Sequence, residues 1–505
     1  MRLFTAEESR ELDRKTIEEH GVPSLVLMEN AAAALADAAA DIARTNSVVI
    51  FCGSGNNGGD GIAAARILAE RGFAVKAYLV GNRGKLSCDA AVMEQRLENC
   101  GLVLEDYTGS DEQIEITKAS GVIIDAMLGT GLNSAVRGTY AEVIELVNSL
   151  NIPVAAADIP SGVSSDTGEV LGCAVNADVT VTFGFPKMGQ FVEPGCVNVG
   201  RLIIADIGIL ADEKIFNDCS TFAFTDSDLI NAIPKRNQLT HKGSYGKITV
   251  FGGCVGYTGA PYLAAQAAVR SGAGLVFLGV PEDIYAIEAV KCTEAMPFPL
   301  KCVDGRLDGT NAVVLDAVDN KLKSCTVCLA GPGMGRSRET EALIYHILEN
   351  SKIPVILDAD GINALSGNID ILDRAACPVI LTPHEAEFER IGGVIGNDRI
   401  AAARNFAREH NCVLVLKGHR SITAFPDGRV FINTSGNAGM AKGGSGDVLS
   451  GIIAALCGQL PFYSAIPAAV YIHGRAGDCA AEKYGEYSMT PSDIIAMLPE
   501  AFPGS

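Results

Sequence analysis

Two glycine-rich stretches carry most of the chemistry in this 505-residue chain, and the more specific is Gly443-Gly-Ser-Gly-Asp-Val-Leu-Ser-Gly451. Small residues there leave consecutive N–H groups free at a helix start, an anion hole that needs no reorganisation. Asp447 stands at its mouth, within reach of a hydroxyl lying beside a bound phosphate. A phosphate cradle with one base for the acceptor oxygen is the layout of phosphoryl transfer. The second stretch is Gly53-Ser-Gly-Asn-Asn-Gly-Gly-Asp-Gly61, between an apolar run and a helical pattern. Its glycines would let backbone approach a phosphate, and a helix N-terminus favours the charge. Such a turn can serve packing alone. Asn56, Asn57 and Asp60 argue otherwise, because three polar side chains in so short a turn rarely serve packing.

Two further apolar runs end in polar clusters. Asp125-Ala-Met-Leu-Gly-Thr-Gly-Leu132 follows Gly121–Ile124, and Asp158-Ile-Pro-Ser-Gly162 follows Pro153–Ala157. If these runs are parallel neighbouring strands, Asn57, Asp125, Asp158 and Ser161 converge at one sheet edge. An oxygen-rich cluster with a single nearby carboxylate suits a weakly held monovalent cation better than a transition metal, which prefers His or Cys. Taken alone, Asp125 reads equally well as a helix cap.

The elements that position these groups follow from periodicity. The first half opens with an Ala-rich amphipathic stretch, Leu25 to Ala43. Short apolar runs then recur at Ser47–Cys52, Ala74–Val80, Gly121–Asp125, Pro153–Ala157, Val179–Phe183 and Leu202–Ile207, with helical patterns such as Gly61–Arg71 and Tyr140–Leu150 between them. This predicts a parallel sheet covered on both faces, with ligands beyond the carboxyl ends of its strands. The rhythm lapses around Ala211–Asp228, and the domain junction is placed at residues 213–224. A second α/β series follows: Lys247–Phe251, Gly274–Val280, Thr326–Ala330, Pro354–Leu357, Pro378–Leu381 and Cys412–Leu416. The halves repeat no sequence, so two unrelated domains are expected, 1–212 and 225–505.

Composition narrows the function classes. A net charge of −20 argues against a nucleic-acid or anionic-membrane surface. Phosphorylated small molecules remain accessible, held locally by backbone N–H groups and one or two lysines. Fifteen cysteines are scattered singly. In the one C-x-x-C, Cys325 and Cys328 lie in a strand-like run, where this spacing sends the thiols to opposite faces and disfavours a metal or redox pair. The N-terminus lacks the apolar region of a secretory leader, and no 18-residue apolar run occurs. A soluble cytoplasmic protein is expected, assembled as a homo-oligomer.

The strings GSGNNGGDGIAAAR, DAMLGTGL, DIPSGVSSDTG and FGFPKMGQ, in that order, closely resemble the NAD(P)H-hydrate epimerase domain over most of residues 1–210. The resemblance implies a Rossmann-like fold, a bound potassium ion and a hydrated nicotinamide dinucleotide as substrate. It places Asn56, Asn57, Gly58, Gly59 and Asp60, with Gly129, Thr130, Gly131, Leu132, Asn133, Ser134 and Ala135, around that substrate. It also places Asn57, Asp125 and Ser161 around potassium, and Asp158 against the substrate. Inverting the hydroxyl-bearing carbon requires a bond beside the ring nitrogen to break and re-form. Asp158, as acid/base, can protonate the leaving hydroxyl and take the proton back.

The Gly443–Gly451 stretch resembles the Gly-x-Gly-Asp motif of ribokinase-like small-molecule kinases. With it stand His241-Lys-Gly-Ser-Tyr-Gly246, Phe251-Gly-Gly253, Gly256-Tyr-Thr-Gly-Ala260, Ala330-Gly-Pro-Gly-Met-Gly335, Asp358-Ala-Asp360, Leu381-Thr-Pro-His-Glu-Ala-Glu-Phe388, Leu416-Lys-Gly418 and Asn433-Thr-Ser-Gly-Asn-Ala-Gly-Met440. In this order they resemble the ADP/ATP-dependent NAD(P)H-hydrate dehydratase across about residues 225–500. The resemblance implies nucleotide at Lys417, Gly418, His419, Arg420, Ser421 and Gly446, substrate at Ala260, Gly333, His384 and Asp447, and Mg2+ on the nucleotide phosphates. His384 by itself reads as a loop histidine; inside Thr-Pro-His-x-x-Glu-Phe it reads as functional. Ser445 replaces a commoner Thr, and His419-Arg420 occupies a variable part of the Lys-Gly loop, leaving ADP against ATP open. The competing reading is a kinase of a small alcohol with a non-catalytic N-terminal dinucleotide-binding module. Asp158 and the full Asn-Asn-Gly-Gly-Asp run weigh against it.

Overall fold

Strand β1 (Ser47–Cys52) shows why the first half folds as it does. Its side chains alternate between two apolar layers: Val48, Ile50 and Cys52 enter one, Val49 and Phe51 the other. The computed structural model describes residues 1–503 and divides the chain into two compact units, Arg2–Thr221 and Phe222 onward with Met1.

In the first unit β1 joins β2 (Ala74–Leu79), β3 (Leu104–Asp106), β4 (Val122–Ala126), β5 (Val154–Ala157), β6 (Val179–Phe183) and β7 (Arg201–Ala205). The order is β3-β2-β1-β4-β5-β6-β7, and every pairing is parallel. This is a doubly wound, Rossmann-like sheet whose order reverses between β1 and β4, where such sheets open a ligand crevice. Helix Ser24–Ile42 covers one face, burying Leu27, Ala31, Ala32 and Leu35. Helix Thr139–Ser149 covers the other with Val143, Ile144 and Val147. The short edge strand β3 carries no periodicity to read. The helix expected over Gly61–Arg71 instead begins at Asn56 and ends at Glu70, so Asn56–Asp60 form its first turn and not a loop.

Residues 213–224, expected as a junction, are structured. Helix Glu213–Asp218 places Phe216 5.2 Å from both Phe4 and Phe185, ring to ring. Thereafter β8 (Thr221–Phe224) enters the second sheet.

That sheet also holds β9 (Lys247–Phe251), β10 (Leu275–Pro281) and β11 (Met296–Leu300). A small hairpin follows, β12 (Cys302–Val303) with β13 (Arg306–Leu307). Back in the main sheet come β14 (Val327–Ala330), β15 (Val355–Leu357), β16 (Val379–Leu381), β17 (Val413–Leu416), β18 (Ile422–Ala424) and β19 (Val430–Asn433). The order is β11-β10-β9-β14-β15-β16-β17-β18-β19-β8, parallel from β11 to β17 and antiparallel through β18 and β19. Helices Gly259–Arg270 and Ser445–Cys457 pack against each other so closely that a Cβ on Gly451 would stand 2.2 Å from the Ala264 carbonyl oxygen. The last glycine of the Gly443–Gly451 stretch is therefore a packing residue.

Cys325 lies just before β14 and Cys328 within it, and no cysteine among the described residues forms a disulfide. Among the described residues no helix is long and apolar enough to cross a membrane.

Candidate active sites

The carboxyl ends of β1, β4 and β5 open into a cavity of 650 Å³. Its wall includes Asn56, Asn57 and Asp60 from the first turn of helix Asn56–Glu70, Gly129 to Ser134 from the loop after β4, and Asp158 from the end of β5. Gly58, Gly59 and Ala135 stay out of that wall. A Cβ on Gly58 would collide with the Gly53 carbonyl oxygen at 1.8 Å, and one on Gly53 would meet the Met127 carbonyl oxygen at 1.9 Å. These two glycines therefore permit the crossing of strand ends. Gly55 and Gly131 have open space where a side chain would be.

Asp125 and Ser161 come together directly. Ser161 donates its hydroxyl to Asp125 Oδ1 at 2.6 Å and its N–H to Oδ2 at 2.8 Å, and Met127 N–H reaches Oδ1 at 3.2 Å. Ser161 Oγ also accepts from Leu128 N–H at 2.9 Å, tying the loop after β4 to that after β5. Burial pushes the Asp125 carboxyl up to about 6 against these hydrogen bonds. Asn57 lies beside Gly129, with a buried amide nitrogen lacking a partner. Turned over, that amide would present an orphan oxygen instead. An orphan amide beside the loop after β4, and a buried carboxylate tied to Ser161 at the end of that strand, offer oxygen ligands of the kind a monovalent ion takes. No cluster of three His, Cys, Asp or Glu suited to a metal occurs among the described residues.

Asp158 is held in the left-handed region at φ 62°, which a non-glycine residue adopts only when its surroundings enforce it. Asp158 N–H bonds Val181 O at 2.8 Å, and the Gln190 amide bonds Asp158 O at 2.7 Å. Its Oδ1 accepts from Thr182 Oγ1 and Phe183 N–H and pairs with the Lys187 ammonium. Lys187, only 3% exposed, also donates to Thr182 Oγ1 and the Phe183 carbonyl. It was missed in the sequence, where the FGFPKMGQ string is its only signal. Asp60 is pushed well above the carboxylate range by burial, reinforced by Asp158 and Asp13.

The second site assembles at the carboxyl ends of β14 to β17. Gly331–Gly335 follow β14, Asp358 follows β15, His384 and Glu387 follow β16, and Lys417 follows β17. Lys417 donates to Asp358 Oδ1 at 3.0 Å and lies 3.8 Å from Glu387. A Cβ on Gly446 would stand 3.3 Å from the Lys417 ammonium, so this cation sits at the start of helix Ser445–Cys457. Gly444 takes φ 105° there, where a Cβ would press into Leu263. Asp447, in the first turn, has its carboxyl pushed up to about 7. Burial is the largest cause, followed by repulsion from Asp358, and Lys417 opposes them.

His384 caps the short helix Glu385–Arg390, Nδ1 accepting from Glu387 N–H at 3.3 Å, and leaves its ring 54% exposed. Gly333 and Ala260 meet, a Cβ on Gly333 lying 3.1 Å from that of Ala260. In the Lys-Gly loop, Ser421 Oγ donates to the Gly418 carbonyl, His419 is exposed, and Arg420 at φ 63° donates to the Thr434 carbonyl at 2.9 Å. Buried His473, also missed, is driven down to about 4 by desolvation beside Ser445. Nothing in helix Phe462–Tyr484 distinguishes it from a core histidine.

A Rossmann-like unit whose strand ends wall a carboxylate-bearing cavity, and an α/β unit with a Gly-Asp anion hole beside a lysine, define a two-domain enzyme acting on phosphorylated small molecules. The second unit resembles a ribokinase-like superfamily protein from Enterococcus faecalis, with TM-score 0.50 and 27% identity over 58% of this chain and 97% of that one. A family model described as NAD(P)H-hydrate dehydratase matches residues 248–500, and one described as YjeF-related protein N-terminus matches 24–189. Curated proteins named bifunctional NAD(P)H-hydrate repair enzyme align end to end. That of Moorella thermoacetica is 39% identical over 99% of this chain and 96% of its own, that of Thermofilum pendens 36% identical over the same shares. The chain belongs to the bifunctional NAD(P)H-hydrate repair enzyme family.

Proposed function

We propose that the first unit interconverts the R and S epimers of hydrated NADH and NADPH, and that the second dehydrates the S epimer at the expense of ADP or ATP. The observation that carries this is the pairing at helix Ser445–Cys457: an anion hole beside Lys417, and a carboxyl at Asp447 poised near neutrality. A hydroxyl is a poor leaving group and a phosphate a good one. Asp447 takes the proton of the hydrate hydroxyl as its oxygen attacks the terminal phosphoryl group, whose bond to the nucleotide breaks. The ring nitrogen's lone pair then expels phosphate, and loss of the neighbouring ring proton restores the dihydronicotinamide. Lys417 and the N–H groups of Gly444, Gly446 and Asp447 hold the phosphoryl charge, while Gly333, Ala260 and His384 hold the substrate.

Asp358 and Glu387 would hold Mg2+ together with the nucleotide's phosphates, where it would neutralise charge. In the first unit Asn57, Asp125 and Ser161 would hold potassium, which would supply positive charge to a buried carboxylate. Asp158, oriented by Lys187, exchanges a proton with the hydroxyl on the face of the ring that it meets. The two activities complement each other, because an epimer refused by the dehydratase returns through the epimerase. A reducing cytoplasmic setting is supported by the cysteines' forming no disulfide among the described residues.

The test incubates the protein with both NADH-hydrate epimers, with and without ADP or ATP, and follows dihydronicotinamide absorbance. Full recovery that requires nucleotide supports the reading. A stable phosphorylated product without NADH would instead favour the small-alcohol kinase.

A further inference from the structure

Helix Ala6–Glu18 lies outside the residues matched by either family model, yet it forms one side of the first unit's cavity. Its outer faces are firmly anchored. Thr5 and Glu8 close a capping box, Ala6 N–H donates to Asp166 Oδ1 at 2.6 Å, and Lys15 pairs with Asp212 at 2.6 Å. Thr16 Oγ1 accepts from Leu210 N–H at 3.0 Å, and Leu12 is fully buried. The remaining stripe, Ser9, Asp13 and Ile17 at helical spacing, lines the cavity.

Asp13 is the unexplained member of that stripe. Its half-buried carboxylate lines the cavity, and no described residue gives it a hydrogen bond. Ser9 Oγ, one turn away, is buried without a partner. Its charged surroundings come from three other elements: Lys187 from the turn after β6, Asp158 from the end of β5, and Asp60 from helix Asn56–Glu70. Arg10, on its own helix, also lines the cavity. Desolvation, with Asp158 adding to it and Lys187 opposing, pushes the Asp13 carboxyl up to about 6. Asp158, by contrast, is fixed by an ammonium and two further donors.

We infer that Asp13 is the second proton-handling group of the epimerisation, paired with Asp158 across the bound nicotinamide ring. The inference rests on the assignment of the first unit as an epimerase. Inversion needs the hydroxyl to leave one face and water to arrive at the other, and one immobilised carboxylate serves one face. In one direction the first carboxyl protonates the hydroxyl, the C–O bond breaks with its electron pair leaving on water, and the ring nitrogen's lone pair forms C=N. Water then attacks that carbon from the opposite face, the C=N pair returns to nitrogen, and the second carboxylate takes water's proton. The two carboxyls end with exchanged protonation states, which reverse turnover or solvent resets. Two carboxyls on separate elements, one tied down and one free, suit this division.

The test compares Asp13→Asn, Asp13→Glu and Asp158→Asn in the full-length protein, measuring epimer exchange and nucleotide-dependent dehydration. Asp13→Asn should slow exchange at least a hundredfold and abolish the limb of its pH profile near 6. Dehydration should stay unchanged, melting should not fall at any pH, and Asp13→Glu should recover part of the exchange. Loss of exchange in Asp158→Asn with full exchange in Asp13→Asn would overturn the inference while leaving the epimerase assignment intact. Loss of exchange in Asp13→Asn with the pH profile preserved would reduce Asp13 to a structural role and overturn it too. Undiminished exchange in both Asn variants would instead remove the epimerase assignment at this cavity.

Discussion

Replacing Asp447 by Asn keeps the side chain's shape and removes its basicity, and it should move activity and stability in opposite directions. As the general base for phosphoryl transfer, the carboxylate contributes ~10²–10⁴ in rate, so nucleotide-dependent dehydration should fall at least about a hundredfold. In the wild type, kcat/KM should drop about tenfold per pH unit below 7, because burial holds this carboxyl up to about 7. The same displacement is a stability cost. A carboxyl that binds its proton more tightly folded than unfolded stabilises fully below the unfolded value near 4. That stability is lost progressively up to about 7. The loss amounts to at most ~4 kcal/mol. The Asp447→Asn variant escapes it, so its melting point should match the wild type near pH 4 and exceed it by several degrees at pH 8. Calorimetry of the C-terminal transition at several pH values, beside the dehydration assay, measures both. A retained rate, or a melting difference independent of pH, would refute the argument.

Three other outcomes follow from the first unit. Asp158→Asn should slow epimer exchange without changing dehydration of the S epimer; equal loss of both would indicate a folding defect or a shared site. Potassium should raise the melting point of the N-terminal transition, and Asp125→Ala should abolish that dependence while weakening substrate binding. Lys187→Met should destabilise by about 3–5 kcal/mol in denaturant titrations, because it strands the Asp158 carboxylate, which is only 14% exposed. Adding Asp158→Asn to that variant should recover much of the loss, and additive effects would show that the pair is not coupled.

The alternation of apolar runs with helical patterns was enough to set two parallel α/β sheets, because a strand buried on both faces must be apolar throughout. Val179–Phe183 and Lys247–Phe251 coincide with β6 and β9 to the residue. Motif order, GSGNNGGDG before DAMLGTGL before DIPSGVSSDTG, carried the family, since each string closes a strand and its residues answer to a ligand more than to local folding. Some elements were illegible: β3 and β11 are edge strands paired on one side alone, and β18 and β19 are short antiparallel strands inside their sheet, and none leaves a period to read. So was the division of labour among glycines. Gly53, Gly58 and Gly451 look like ligand glycines in the chain and prove to be places where backbone meets backbone. Asp13 and Lys187 show the limit most clearly. One is an acidic residue on an amphipathic helix and the other a lysine in a loop, and neither type nor spacing separates them from solvated surface. Only the tertiary structure sets both around Asp158: helix Ala6–Glu18 brings Asp13 to the cavity wall, and the turn after β6 buries Lys187 against Asp158. Desolvation gives Asp13 its chemistry, and desolvation is a property of the assembled cavity that no local stretch of sequence encodes.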